Sequence, residues 1–282
     1  MAPAASALNV LAAVPGVLGR LVLGAPRQVV RLFGATGAMW QLLVEAVYAS
    51  TIGALRGPSM LRKQLFPMMT NVGVRSFPIV ALVSLLTGAV LLLQTGDVMR
   101  QYGQLSQAPG LVALSMTREL GPLMTAIVVT ARVGASNTAV LGSMNINEEI
   151  MALRSMAIDP IGFLVAPRML SMLVMAPCLV TFSYVVGMLG GASVGLIKYG
   201  IDPNLYARVS YDYLKMGDLV GGLIKAVVFG MLVSIISCFY GLRAEGGPTG
   251  LGRNIMVSVV TCTVIIAFAD AILTAFVSSY VL

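Results

Sequence analysis

Five long stretches of the sequence contain no charged residue. They are Ser76–Gly96, Gln101–Thr117, Met169–Ile197, Ala226–Leu242 and Asn254–Ala269. A helix needs about 20 mostly apolar residues to cross the hydrocarbon of a bilayer, and each stretch reaches that length alone or with its flanks. The sequence therefore predicts an all-α membrane protein with about five transmembrane helices.

The composition supports the same class. Hydrophobic residues make up 58% of the 282 residues and charged residues 10%, whereas soluble domains contain about 45–50% and about 25%. The formal charge of +7 is typical of membrane proteins with basic cytoplasmic helix ends, so we expect no nucleic-acid partner. The chain has no His. Its three cysteines lie far apart in apolar runs, which predicts buried small side chains and no metal site.

The chain divides into three predicted regions. Residues 1–26 are rich in Ala, Pro and Gly, and we expect them to be poorly ordered. Residues 27–70 begin with a helical pattern of apolar residues, a Trp and basic residues, which is typical of an amphipathic helix in the membrane interface. A helix packed on protein is the alternative. Residues 71–282 would form the five-span domain.

The spans and their connections predict an orientation. We place the spans at about 77–96, 110–141, 165–197, 219–242 and 253–281, with a Gly-rich link at Arg243–Gly252. With the N-terminus in the cytoplasm, most Lys and Arg residues of the connections lie inside, as the positive-inside rule favours. Five spans then place the C-terminus outside.

A glycine stripe marks the third predicted span. Gly187, Gly191 and Gly195 recur every four residues. Such a stripe lets a neighbouring helix approach closely. We therefore predict a helix-packing role for these three residues within a tightly packed bundle.

A polar segment, Asn145–Pro160, is predicted to form a short cytoplasmic helix between the second and third spans. Asn145 with Glu148 three residues later has the pattern of a capping box, and Pro160 would end the helix. The segment is either a plain surface helix or a coupling helix that docks in a groove of a cytoplasmic ATPase. For the second role the candidate residues are Asn145, Glu148, Glu149, Leu153, Arg154, Asp159 and Pro160.

Charged residues inside membrane helices are costly and usually face the bundle interior or a wet cavity. Arg118 and Glu119 are adjacent, so their side chains point about 100° apart and pair poorly with each other. They would either border a lipid cavity, with Arg118 attracting an anionic headgroup, or belong to a structural network. We predict that Lys225 and Asp270 pair between the fourth and fifth spans.

Three further polar residues lie near the ends of predicted spans. Gln94 and Tyr102, around the end of the first span, are candidates for the mouth of the same lipid cavity. Arg132 is expected near the end of its helix, where a long side chain can extend its charge to the membrane surface.

The sequence contains no phosphate-binding loop of the form Gly-x4-Gly-Lys-Ser/Thr, the pattern that wraps nucleotide phosphates. We therefore expect no catalytic residues and no cofactor bound by this chain. Work against a gradient would be driven by ATP bound to a partner subunit or by an ion.

A series of short segments stands in the order and with the spacing of a known permease family. They are Arg118–Pro122, Ala131–Gly134, Leu141–Met144, Glu148–Ile150, Met156–Pro160, Ala166–Arg168, Leu223–Phe229 and Ala269–Thr274. On these motifs, from about Leu65 to the C-terminus, the chain resembles the MlaE/YrbE family of permeases. Val140 is a departure, because that family usually has an acidic residue there.

The resemblance implies a subunit of an ABC transporter in the bacterial inner membrane. It implies a homodimer, or a heterodimer of related permeases, with two cytoplasmic ATPase subunits and a periplasmic MCE-domain lipid-binding protein. Such systems move phospholipids or related lipids between the inner membrane and the periplasm or outer envelope. The resemblance also implies that Asn145–Pro160 is the ATPase-contacting segment.

Two other function classes fit the same residues. An ion-coupled secondary transporter of a hydrophobic substrate would use Glu119, Lys225 and Asp270 and would need no ATPase. A membrane scaffold would have no cavity open to lipid. The sequence decides neither the lipid nor the direction of transport, because generic apolar walls contact any acyl chain.

Overall fold

A computed structural model of the chain describes residues 37–48 and 58–280, with side chains for 37–48 and 64–276. This described part is helical without strands, and five of its helices are long and apolar enough to cross a membrane. The predicted all-α fold with about five spans is confirmed. The described residues up to 44 belong to one compact unit, and those from 45 onward belong to a second.

The N-terminal predictions fall largely outside the described residues. Residues 1–26 lie entirely outside them. Residues 37–48 form helix α1, in which Trp40 is exposed. The interfacial location of this region stays a prediction, as does the division of the chain at residues 26 and 70.

The remaining described helices follow in chain order. They are α2 (Pro58–Val72), α3 (Phe77–Gln101), α4 (Ala108–Ser115), α5 (Gly121–Val129), α6 (Ala135–Ile146), α7 (Glu149–Ser155), α8 (Ala166–Tyr199), α9 (Pro203–Tyr213), α10 (Met216–Leu242) and α11 (Gly247–Tyr280). Helices α4, α5 and α6 form one continuous second span, joined by two five-residue π-helical turns at Met116–Leu120 and Thr130–Gly134. A third such turn, Ile161–Val165, precedes α8.

Helix α10 is the central element of the described bundle. It packs against α5, α6, α8 and α11, while α3 packs along α8. Val129, Val133, Met172, Phe229 and Val233 are buried together where the second, third and fourth spans meet. These side chains come from helices whose outward faces stay apolar, which is the pattern of a bundle solvated by lipid.

Two connections differ from the predictions. The expected polar link before the fourth span contains α9, whose N-terminus is capped by the Asp202 carboxylate accepting from the Asn204 N–H at 3.5 Å. The expected Gly-rich link is short, because α11 already begins at Gly247. Cys238 and Cys262 are buried as predicted, but Cys178 is exposed.

Helices α3 and α8 approach each other closely at glycine residues. A Cβ atom added at Gly88 would overlap the carbonyl group of Gly187, and one added at Gly190 would overlap the carbonyl of Leu85. Gly187 therefore lies at the contact that the stripe predicts. Gly191 and Gly195 also face α3, because an added Cβ would lie 3.4 Å from the Gly88 carbonyl oxygen at Gly191 and 3.1 Å from Leu92 Cδ2 at Gly195, and Tyr206 of α9 lies beside both glycines. Gly190 does not follow the four-residue spacing of the stripe, so the sequence pattern did not predict its contact.

Replacing Gly88 with alanine should destabilise the bundle by about 3 kcal/mol, because backbone cannot move aside as a flexible side chain can. Gly195→Ala is the matched control. Its Cβ would lie 3.1 Å from Leu92 Cδ2, the movable end of a side chain, so the expected cost is below about 1 kcal/mol. Thermal unfolding of the purified variants in detergent measures the difference. Equal melting temperatures would contradict the close α3–α8 contact.

Candidate functional site

The segment between the second and third spans contains a helix end followed by a separate short helix. Helix α6 runs through Asn145 to Ile146, and α7 begins only at Glu149. The predicted capping box is therefore wrong: Glu148 has a left-handed backbone (φ 60°) and no side-chain cap bond. The Asn145 side chain donates instead to the Ala244 carbonyl at 3.1 Å. Asn145 lies in the last turn of α6 and ties that helix to the link before α11.

The end of α7 is also set by a different residue from the one predicted. The N–H of Ala157 donates to Arg154 O, and the N–H of Ile158 donates to Leu153 O, both at 3.0 Å. This is a Schellman motif, with Ala157 in the left-handed position (φ 58°) that glycine usually fills. Pro160 does not end the helix, because the chain has already left it.

Asp159 and Pro160 instead begin the third span. The Asp159 carboxylate accepts from the N–H of Ile161 at 3.1 Å and from that of Gly162 at 2.9 Å. Both amides belong to the unsatisfied first turn of a helix, so the carboxylate caps it. Pro160 is buried directly after the capping residue. These two residues fix where the short helix joins the third span.

Helix α7 presents most of its surface to the surroundings. Ile150 is buried and Leu153 is half-buried, and these two side chains hold the helix to the bundle. Glu149 and Arg154 are exposed. Met151 is 66% exposed. Met156, directly after the helix, is 60% exposed.

Replacing Ala157 with glycine should stabilise the end of α7 by about 1 kcal/mol, because a left-handed backbone costs an L-residue about 1–2 kcal/mol and part of that gain is offset by glycine's greater freedom when unfolded. Ala152→Gly is the matched control in the same helix. It should destabilise the helix by about 1 kcal/mol. Amide hydrogen exchange across residues 149–158 measures both. Faster exchange in Ala157→Gly than in the unaltered chain would contradict the Schellman end.

Four polar groups surround the buried ammonium of Lys225 in the fourth span. Its Nζ lies 2.6 Å from Glu119 Oε2, 2.7 Å from Thr274 Oγ1 and 3.0 Å from the Arg118 carbonyl oxygen. It also lies 3.0 Å from Asp270 Oδ1. The network therefore joins the second, fourth and fifth spans. The structure brings Lys225 and Asp270 together as predicted, and it adds Glu119 and Thr274.

A proline in the second span leaves one backbone carbonyl free to accept a hydrogen bond from Lys225. Pro122 has no N–H, so it cannot donate to the carbonyl four residues earlier, that of Arg118. The π-helical turn at this point makes room for the ring, with the N–H of Gly121 donating to Met116 O. The carbonyl of Arg118 is left to accept from Lys225. A buried ammonium and a carbonyl freed by proline thus satisfy each other.

Arg118 has its own partner, Asp218, which no sequence motif indicated. Its Nε lies 2.6 Å from Asp218 Oδ1 at the start of α10. The other oxygen of Asp218 accepts from the N–H of Lys215 at 3.2 Å. Asp218 is only 2% exposed. This pair, together with the Lys225 cluster, is the structural network that one of the two interpretations of Arg118 and Glu119 requires.

The network is nevertheless open on one side. The side chains of Arg118 and Glu119 each remain 37% exposed although both are paired. Gln94 and Tyr102 are also exposed, but no hydrogen bond connects either to these charges within the described residues. Arg118 and Glu119 therefore hold helices together and also form a partly exposed charged surface within the membrane-spanning part of the chain.

Arg132 differs from its prediction. Its Nη1 donates to the Asn71 carbonyl at 3.0 Å and to Ser76 Oγ at 2.6 Å. The arginine therefore binds the end of α2 and the turn before α3, instead of extending to a membrane surface. Arg132 ties the helix before the first span to the second span.

The described residues contain no group of three or more His, Cys, Asp or Glu side chains able to hold a metal ion. The clustered charges are ion-paired and lie on helices, and Lys225 is the only cation among Glu119, Asp270 and Thr274. Such an arrangement can bind a charged headgroup or hold helices together.

Comparison with known proteins gives a consistent set of relatives. The family model described as Permease MlaE matches residues 65–276. A probable ABC transporter permease protein of Rickettsia typhi is 34% identical over 79% of this chain and 86% of its own length. The intermembrane phospholipid transport system permease protein MlaE of Haemophilus influenzae is 32% identical over 88% of this chain and 94% of its own. The chloroplastic protein TRIGALACTOSYLDIACYLGLYCEROL 1 of Arabidopsis thaliana is 33% identical over 74% of this chain and 59% of its own.

Proposed function

The chain belongs to the MlaE permease family, and we propose that it is the membrane-spanning subunit of an ABC transporter for phospholipid or a related lipid. It is a multi-pass protein of the inner membrane. Lipid moves between that membrane and the periplasm or outer envelope, driven by ATP hydrolysis in a separate subunit. The Haemophilus influenzae relative, an intermembrane phospholipid transport system permease protein by name, supports this substrate class.

The observation that carries the proposal is the open side of the charge network. Arg118 and Glu119 are 37% exposed within the second span, at a depth where a charge facing lipid tails would be very costly. This side of the chain therefore faces a wet or headgroup-containing cavity, completed by a second permease subunit. Arg118 attracts the phosphate of the lipid, and the apolar walls accept its chains.

Helix α7 is the coupling helix. Its exposed methionine, Met151, inserts into a groove of the ATPase, while Ile150 and Leu153 connect the helix to the bundle. Closure of two ATPase subunits pushes α7, and the capped junction at Asp159 passes the movement to the third span. This arrangement requires α7 and the N-terminus in the cytoplasm and the C-terminus outside, as the basic residues favour.

The further partners follow from the same family membership. Two permease subunits, identical or related, pair with two ATPase subunits. An MCE-domain protein on the periplasmic side delivers or receives the lipid. The direction of transport depends on that exchange and not on the permease fold alone.

Affinity purification of the tagged full-length chain from its native membrane tests the assembly. We expect an ABC ATPase to copurify in equal amount with the permease. Recovery of the folded permease without any ATPase, under detergent conditions that preserve known ABC complexes, would contradict the proposal.

A further inference from the structure

The end of the second span that leads into α7 is joined closely to the fourth and fifth spans. Thr138 Oγ1 of α6 lies 3.0 Å from the Ser237 carbonyl oxygen of α10 and 2.9 Å from Ser258 Oγ of α11. These three residues are fully buried. A Cβ atom added at Gly241 of α10 would lie 2.7 Å from Leu141 Cβ of α6. At this level α6, α10 and α11 therefore form one tightly packed block.

One side chain joins this block to the α10–α11 link, residues 243–246. The Asn145 amide donates to the Ala244 carbonyl at 3.1 Å, and Ala244 is 1% exposed. A Cβ atom added at Gly142, one turn earlier on α6, would lie 2.9 Å from Ala244 Cβ. A buried carbonyl that loses its donor is costly, because water does not readily replace the lost bond. Asn145 therefore holds the link against α6.

The same asparagine lies next to α7 in the chain. Helix α6 ends at Ile146 and α7 begins at Glu149, so two residues separate the helices. Two residues span at most about 7 Å when fully extended, and a larger displacement of α7 must carry α6 with it. At its other end, α7 leads to the Asp159 cap of the third span. The two ends of this segment are thus attached to different groups of spans.

The fourth and fifth spans carry the ion-pair network. Lys225 lies in α10 and Asp270 in α11, with 3.0 Å between their charged atoms. Lys225 is about 24 Å along α10 from Gly241, at 1.5 Å per residue. An α-helix keeps its rise per residue through its hydrogen bonds, so a shift of this end of α10 along its axis is carried to Lys225. A movement of α6 can therefore reach the network through the link.

We propose that Asn145 is a positioning residue of the coupling step, which makes the fourth and fifth spans follow α6 when the ATPase moves α7. This inference rests on the proposed function, because it requires α7 to be the coupling helix. Asn145 acts through the Ala244 carbonyl and contacts neither lipid nor nucleotide. Without its amide, α7 still moves the third span through Asp159, whereas α10 and α11 lag behind. ATP hydrolysis is then uncoupled from lipid transfer.

Asn145→Asp tests this role. It keeps the size of the side chain but replaces the N–H donor with an oxygen that faces the Ala244 carbonyl. The full-length variant, reconstituted with its copurified ATPase, should transfer about fivefold less lipid per ATP hydrolysed, the factor expected for one lost hydrogen bond. Asn145→Gln keeps the amide and should restore most of that ratio. A purely structural role would lower hydrolysis and transfer together and leave their ratio unchanged.

Asn254→Asp is the matched control. The Asn254 amide donates to the neighbouring Arg243 carbonyl at 3.4 Å, so it joins the link to α11 and not to α6. The substitution is the same and changes the net charge equally, yet the lipid transferred per ATP should stay at the original value. Equal ratios in Asn145→Asp and Asn254→Asp would overturn the inference. The proposed function fails separately, if the unaltered protein transfers no lipid with ATP.

A distance measurement tests the inference without lipid transfer. Spin labels on Val140→Cys of α6 and Arg253→Cys of α11 occupy exposed positions. Cys178→Ala removes the exposed native cysteine, and the other two are buried. We expect the same distance in the nucleotide-free complex and in the complex trapped with ATP and vanadate, and a different distance after trapping in Asn145→Asp. A distance that changes on trapping with Asn145 intact would overturn the inference, as would an unchanged distance in Asn145→Asp.

Discussion

Lys225→Met should destabilise the protein by about 3–5 kcal/mol and abolish lipid transfer, because it leaves two carboxylates within the membrane spans without their cation. Glu119 and Asp270 would lose the ammonium that lies 2.6 Å and 3.0 Å from them. The Arg118 carbonyl would lose its donor as well. Thermal unfolding in detergent and transfer from proteoliposomes measure the two effects.

Two further variants separate the causes. Lys198→Met removes a lysine whose ion pair with Asp97 is exposed, so its cost should be below about 1 kcal/mol. Combining Lys225→Met with Glu119→Gln and Asp270→Asn removes all three charges and should restore most of the stability. If that neutral protein also transports lipid at the original rate, the charges serve the structure alone. A Lys225→Met protein as stable as the unaltered chain would contradict the network itself.

Met151→Asp should reduce ATP-driven lipid transfer at least about tenfold while leaving the fold intact, because an apolar anchor of an interface is replaced by a charge that must be desolvated. Met151 is 66% exposed, so the substitution disturbs little packing within the described residues. Copurification of the ATPase and the rate of transfer are the two measurements.

Met151→Leu is the control for this substitution, because it keeps an apolar side chain of similar size. It should retain the ATPase and most of the transfer. If Met151→Asp binds the ATPase and transports as well as Met151→Leu does, α7 is a plain surface helix. The coupling role would then be wrong.

The spans were the most predictable part of the fold. An uncharged run as long as Met169–Ile197 is typical of a transmembrane helix. Helix α8 covers this run and extends only a few residues beyond it at each end. The ends of the spans were harder to predict, because a polar residue there can either cap the helix or belong to the connecting segment. Asp202 followed by Pro203 was a readable signal for α9, since an acidic cap with proline at the first helical position is a common helix start.

The network could be predicted only in part. Lys225 and Asp270 were visible as costly charges in apolar helices. The pairing of Arg118 with Asp218, which are 100 residues apart, depends on how deep α10 begins, and no local pattern encodes that depth. The role of Pro122 depends in turn on where Lys225 lies. A single sequence shows the proline but not the cation that uses the carbonyl it leaves free.

The capping box failed for a related reason. Asn145 and Glu148 have the right spacing, but α6 continues past Asn145, where the Ala244 carbonyl accepts its amide. A tertiary contact with the link after α10 thus determines where α6 ends, although the sequence pattern around Asn145 suggests a purely local signal. Similarly, glycines spaced four residues apart predict one packing face on α8. The close approach of α3 also requires Gly190, which lies one position before Gly191 of that stripe.

ATP-dependent transfer of fluorescent phospholipid out of proteoliposomes tests the central claim most directly. The permease is reconstituted with its copurified ATPase, and ionophores collapse all ion gradients. We predict transfer that needs ATP, persists without gradients and is lost in Met151→Asp. Transfer by the permease alone that requires a proton or sodium gradient would contradict the account and identify the Glu119–Lys225–Asp270 cluster as part of a secondary transporter.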